Sequence, residues 1–174
     1  MLSEKMQKAL NDQMNFEIHS GYIYAAMAAY LESVDLGGFA SWMSSQAAEE
    51  MEHAMRFYKF IHDRGGRVIF DAIPAPPVEW QSLKVVFEAA LEHERVVTGK
   101  IHELVDLAVE LRDHATQSFL KWFVDEQVEE EATADQWIKM IEMSDCQPAG
   151  LMMLDREAGG RTSAVIAALS ADEG

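Results

Sequence analysis

Glu49-Glu50-Met51-Glu52-His53 lies midway along Phe39 to Arg64, a stretch with the spacing of an amphipathic helix. Glu50 and His53 stand three apart, so a helix sets one above the other on the same face. Followed in steps of three and four, that face reads Phe39, Met43, Gln46, Glu50, His53, Phe57, Phe60. It is a core stripe with a carboxylate and an imidazole where aliphatic residues belong.

Three other segments repeat the pattern. The first runs Met6, Leu10, Gln13, Glu17, Ser20, Tyr24, Met27, Leu31. The third runs Leu83, Phe87, Ala90, Glu94, Val97, Ile101, Leu104, Ala108, Leu111, and the fourth Thr116, Leu120, Phe123, Gln127, Glu130, Ala134, Trp137, Ile141. Four helices packed antiparallel bring their midpoints level, so Glu17, Glu50, His53, Glu94 and Glu130 are expected to converge. Several buried carboxylates cannot share a dry pocket as bare anions, because desolvation and mutual repulsion both oppose it. A cation is required among them.

The spacing predicts helices from Ser3 to Ser33, from Phe39 to Arg64, from around Val78 to Leu111 and, with Asp113 as N-cap, on to Met143. Asp35-Leu36-Gly37-Gly38 and Arg112-Asp113 make short turns, whereas Pro74, Pro76 and Pro77 keep the second connection extended. This is an all-α bundle with a long crossover between helices two and three, the connectivity of ferritin-like bundles. A shorter helix is expected over Leu151 to Ala158, stopped by Gly159-Gly160, with an apolar tail from Thr162 to Leu169. We read 1–174 as a single domain with its bundle over 3–143, the short helix over 151–158 and a tail over 159–174.

The 174 residues suit one sizeable core, and 49% hydrophobic content includes no run long enough for a bilayer. The N-terminus lacks a signal-peptide pattern, which places the expectation in the cytoplasm with no membrane partner. A net charge of -16 argues against nucleic acid and for cations. With Cys146 the lone cysteine, no thiolate cage for zinc or an iron-sulfur centre can form, so oxygen and imidazole must hold the metal. Two ions fit four carboxylates and one imidazole better than one, since carboxylates bridge cations ~3.5–4 Å apart. Such donors suit iron or manganese more than copper. The expected reaction is oxidation of Fe(II) by oxygen or peroxide, two ferrous ions together passing two electrons to one oxidant.

These residues resemble the ferritins, most closely the bacterial non-haem ferritins, over Ser3 to about Ala158. The resemblance implies that Glu17 and His53 hold one iron, that Glu50 bridges, and that Glu94 with Glu130 serves a second, with Gln127 close by. It implies that Tyr24 stands beside the site and that Trp122 supplies an electron. Glu49, Glu126 and Glu129 resemble a third iron site on the inner side of the bundle, and their helical spacing next to Glu50 and Glu130 agrees. The implied product is ferric mineral stored inside a homo-oligomeric shell of about 24 subunits.

The sequence also departs from relatives of that family. The fourth helix reads Gln127-Val128-Glu129-Glu130 where haem-carrying bacterioferritins repeat Glu-x-x-His, and Gln117 and Leu120 stand where animal ferritins line an iron channel with acids. Two rival readings stay open. Met51 stands where bacterioferritins bind haem across a twofold interface, against its plainer role as a gap-filling residue. A metal-free helical scaffold is the other, and it leaves the buried acids unexplained. A rubrerythrin-like peroxide reductase needs paired Cys-x-x-Cys, which Cys146 alone cannot supply.

Overall fold

Side-chain caps decide where the helices begin. In the computed structural model, which describes residues 2–144 and 147–161, Ser3 accepts from the Met6 amide and opens α1 (Glu4–Ser33). Ser82 accepts from Val85 N–H and opens α3 (Leu83–Glu110), while Asp113 accepts from Thr116 N–H and opens α4 (His114–Met143). The third helix thus starts at Leu83 and not near Val78, because the proline-rich stretch stays extended until Ser82 supplies a cap. The remaining helices are α2 (Gly37–Asp63) and α5 (Pro148–Ala158). Proline is well suited to a first helical position, which carries α5 three residues N-terminal to the expected Leu151.

Two tight turns make α1/α2 and α3/α4 antiparallel pairs. In each, a non-glycine residue adopts the left-handed conformation, Asp35 at φ 61 and Arg112 at φ 53. The next amide then bonds back to the helix, Leu36 N–H to Leu31 O at 3.0 Å and Asp113 N–H to Ala108 O at 2.8 Å. The long connection runs alongside α1, held by a ladder of amide side chains at one-turn spacing. Gln7 Oε1 accepts from Arg67 N–H, Asn11 bonds both Arg67 O and Ile69 N–H, and Asn15 bonds both Ile69 O and Asp71 N–H. At the far end the Tyr30 hydroxyl donates to Trp80 O. From Gln7 to Tyr30 this spans roughly 35 Å of helix at 1.5 Å per residue.

The core divides into two apolar clusters. One gathers the C-terminal half of α1 with the N-terminal halves of α2 and α3, around Leu31, Phe39, Met43 and Phe87. The other gathers the opposite ends, around Leu10, Phe57, Ile101 and Phe123. Between them lies a polar layer formed by the midpoints of the four long helices.

Helix α5 rests on the start of α2. No side chain of α2 caps its own N-terminus; Asp155 of α5 accepts from Phe39 N–H at 2.9 Å instead. The approach needs glycine, since a Cβ on Gly38 would lie 1.7 Å from Asp155 O and one on Gly159 3.2 Å from Gly38 Cα. Among the described residues there is no strand, and no helix is long and apolar enough to cross a membrane. The apolar tail expected over Thr162 to Leu169, and Cys146, lie outside the described residues.

Asp155→Ala is expected to cost about 1 kcal/mol, the value of a helix cap. Gly38→Ala is expected to cost more and to release α5, because backbone and not a flexible side chain blocks the new methyl. Thermal unfolding and limited proteolysis within α5 check both; equal behaviour of the two variants would show that the glycine contact does not fix α5.

Candidate metal centre

Each long helix delivers its acid to the polar layer by the same device, an apolar seam whose neighbours are anchored in the two clusters. On α1, Leu10 and Met14 fix one side of Glu17, and Tyr24 and Met27 the other. On α2, Met43 and Phe57 bracket Glu50 and His53; on α3, Ala90 and Val97 bracket Glu94; on α4, Phe123 and Ala134 bracket Gln127 and Glu130. Relative exposure is 1% for Glu17, Glu50 and Glu94, 7% for Glu130 and 9% for His53. Every acid expected at the centre is buried.

Glu17, Glu50 and His53 each offer a ligand atom, and these atoms lie within 4.8 Å of one another. Glu94 is held from two sides, by the Tyr24 hydroxyl and by Gln127 Nε2 at 2.9 Å. Gln13 donates to Glu17 Oε1 at 2.8 Å, and Gln46 donates to Glu130 Oε2 at 2.5 Å. Three buried oxygens nevertheless lack a hydrogen-bond donor among the described residues: Glu17 Oε2, Glu50 Oε2 and Gln127 Oε1. Glu50 Oε2 sits 3.5 Å from His53 Nδ1 without making that bond. Each such atom costs about 1–3 kcal/mol, more if charged, so the layer is incomplete as a purely protein structure.

Electrostatics agree. Burial, then the field of Glu50, pushes Glu17 well above the usual carboxylate range, and burial followed by Glu94 and Glu130 does the same to Glu50. Burial raises Glu94, with the Tyr24 and Gln127 hydrogen bonds working against it. Glu130 is pushed up to about 7 by burial and Glu94, while Arg161 pulls it the other way. Among the described residues, no Lys or Arg forms an ion pair with any of these four acids. Four carboxylates that resist ionisation, orphaned acceptors and one imidazole make a donor set that fits hard divalent cations.

The acids expected outside the centre fall elsewhere. Glu49, Glu126 and Glu129 line a cavity of about 370 Å³ that Glu130 also borders, together with Trp42 and Arg161. The Trp122 ring stands edge-on to His53 at 5.3 Å, with the Arg56 guanidinium 3.9 Å from its centre. Met51 points away from the layer, 45% exposed, in a surface groove with Met55, Arg56 and Lys59.

Three contributors went unassigned in the sequence reading. Gln13 stands one turn before Glu17, and that spacing could have marked it as the donor to that acid, whereas Gln46 stands one turn before Glu50 but donates across the bundle to Glu130, which spacing cannot show. Arg161 gives no local signal, being 112 residues from its partner Glu49.

The ferritin-like domain family matches residues 7–144. The bacterial non-heme ferritin of Staphylococcus aureus (strain MRSA252) is 40% identical over 162 residues, covering 93% of this chain and 98% of that protein. The protein of the same description from Staphylococcus epidermidis is 42% identical, with the same coverage. An open pore ferritin from the hyperthermophilic archaeon Archaeoglobus fulgidus superposes with a TM-score of 0.92 at 46% identity, over 93% of this chain and 100% of the other. The layered bundle, its buried carboxylates and these similarities lead to one conclusion: the chain belongs to the ferritin family.

Proposed function

We propose that this ferritin oxidises Fe(II) at the polar layer, two ions at a time, and stores the ferric product inside a cytoplasmic homo-oligomeric shell of about 24 copies. The carrying observation is the set of orphaned, buried oxygens on Glu17, Glu50 and Gln127 among four carboxylates that, among the described residues, form no ion pair with Lys or Arg. Bound Fe(II) supplies the missing charge and the electrons. Each ion gives one electron, so a pair reduces one dioxygen, which leaves as hydrogen peroxide after taking up two protons.

The protein's part is to hold and to neutralise. Glu17 and His53 are assigned to one ion, Glu94 and Glu130 to the other, and Glu50 to both, with Gln127 Oε1 free to accept from a bound water. The Tyr24 hydroxyl and Gln127 amide orient Glu94, and Gln13 and Gln46 orient Glu17 and Glu130. Acids held protonated by burial give up protons as cations arrive, so ion binding keeps the layer near neutral. Trp122, in contact with His53, is placed to supply a further electron. Glu49, Glu126 and Glu129 are assigned to a third ion on the way to the store.

Stopped-flow absorbance after Fe(II) addition tests the assignment. Glu50→Ala is expected to slow the first fast oxidation at least about tenfold more than Glu49→Ala does, because a lost bridge affects both ions. Glu126→Ala and Glu129→Ala are expected to alter the iron-to-oxygen stoichiometry while keeping that first phase. If either proves as inactive as Glu94→Ala, it belongs to the central set.

Proton linkage gives a second test. The folded state holds its buried acids above their ordinary 4.5, with Glu130 at about 7, so between those values it binds more protons than the unfolded chain. Apo stability should therefore fall as pH rises from about 5 to about 8. Glu50→Gln should melt higher than wild type at pH about 8 and no higher at pH about 5, where the wild-type acid is already neutral. Zn(II) binding should release more protons at pH about 6 than at pH about 8. Calorimetry in two buffers of different ionisation enthalpy measures the release; a release near zero at both pH values would mean that the apo acids are already ionised.

A further inference from the structure

Arg161 sits where the outer acids meet. Its Nη2 donates to Glu49 Oε2 at 2.5 Å and its Nη1 to Gln46 Oε1 at 2.7 Å, while its guanidinium stacks 4.7 Å from the Trp42 ring centre. Gln46 passes the contact on, since its amide nitrogen donates to Glu130 Oε2. Arg161 borders the same cavity as Glu126, Glu129 and Glu130, and its charge favours ionised Glu49 and Glu130. Its backbone is placed by the end of α5, through Arg161 N–H to Ala158 O at 3.2 Å. The Gly38–Gly159 contact that seats α5 on α2 therefore also sets the arginine over the acids.

We propose that Arg161 is a tethered cation that holds the outer carboxylate cluster closed until a metal ion displaces it. This rests on the assignment of a third ion to Glu49, Glu126 and Glu129. A guanidinium on Glu49 Oε2 repels a divalent ion brought to the same carboxylate, so filling the outer position favours the departure of Arg161. The fork that bonds Glu49 and Gln46 at once is specific to arginine. Its departure frees Gln46 Oε1 and loosens the amide that orients Glu130, so the outer ion and the central pair are linked through one glutamine. Among the described residues the central layer has no such occupant, so it is filled first.

Calorimetric titration of the intact apo oligomer with Zn(II) tests this, comparing wild type with Arg161→Gln, Arg161→Lys, Glu49→Gln and the double variant Arg161→Gln/Glu49→Gln. Two tight steps and one weak step per subunit are expected for wild type. Arg161→Gln should tighten the weak step about fivefold, on the scale of one partly exposed charge contact, and leave the tight steps in place. Arg161→Lys should fall between, and Glu49→Gln should remove the gained step. Melting should show Arg161→Gln less stable than wild type when apo and level with it when loaded with Zn(II). An equal loss in both states makes Arg161 a structural tie and overturns the proposal. A weak step that Glu49→Gln removes but Arg161→Gln leaves unchanged overturns it too, with the third position intact. No step sensitive to Glu49→Gln in any protein overturns the third position, and the proposal with it.

Discussion

Four carboxylates buried between two apolar clusters are the constraint on which the rest of this bundle depends. Ionised and unpaired, each would cost several kcal/mol, and their mutual repulsion adds to that. The structure reduces the cost by three means, each visible in particular residues. Neighbouring amides and a phenol occupy some of the oxygens, as Gln13 does for Glu17, Gln46 for Glu130, and Tyr24 with Gln127 for Glu94. Raised proton affinity keeps part of the charge off the site. What remains unsatisfied among the described residues, on Glu17, Glu50 and Gln127, is the acceptor set that the proposed function assigns to metal. The apolar clusters provide the rigidity that makes this arrangement possible, because packed residues on both sides of each acid hold it in the layer.

The crossover shows a related economy. An extended segment beside a helix has no ladder of its own, and its amides would go unpaired against the bundle. Gln7, Asn11 and Asn15 stand in for a neighbouring strand, bonding the backbone of residues 67–71 from one face of α1. Arg64 fastens the other side, with both guanidinium nitrogens on Asp113 at 3.0 Å and a bond to Thr116 at 3.2 Å. The end of α2 is thereby tied to the turn between α3 and α4. These contacts keep the two antiparallel pairs in register, which is what brings the four midpoints level.

Inner and outer acids are treated differently. Among the described residues the central set has no arginine or lysine ion-paired to it, whereas Glu49 keeps a guanidinium while partly exposed to solvent. A water-excluded site gains more from a metal ion than from a bulky organic cation with five donors to satisfy. A half-open cluster can hold the organic cation at little desolvation cost and release it again.

Seam residues were legible before the structure because a helix has a fixed period. Gln13, Glu17, Gln46, Glu50, His53, Glu94, Gln127 and Glu130 fall on apolar seams by spacing alone, and all are buried as that spacing requires. Short turns and the proline-rich connection likewise determined the chain's connectivity, since local sterics decide both. The resemblance to ferritins added roles that spacing does not assign. Only the tertiary structure decided how the start of α2 is capped, because Asp155 accepts from Phe39 N–H across 116 residues of chain, whereas the Pro148 that opens α5 is a local signal. It also decided which oxygens of the acids are partnered and where Arg161 lies. Those outcomes depend on side chains brought together from distant segments, and hydrophobic period carries no record of such pairings.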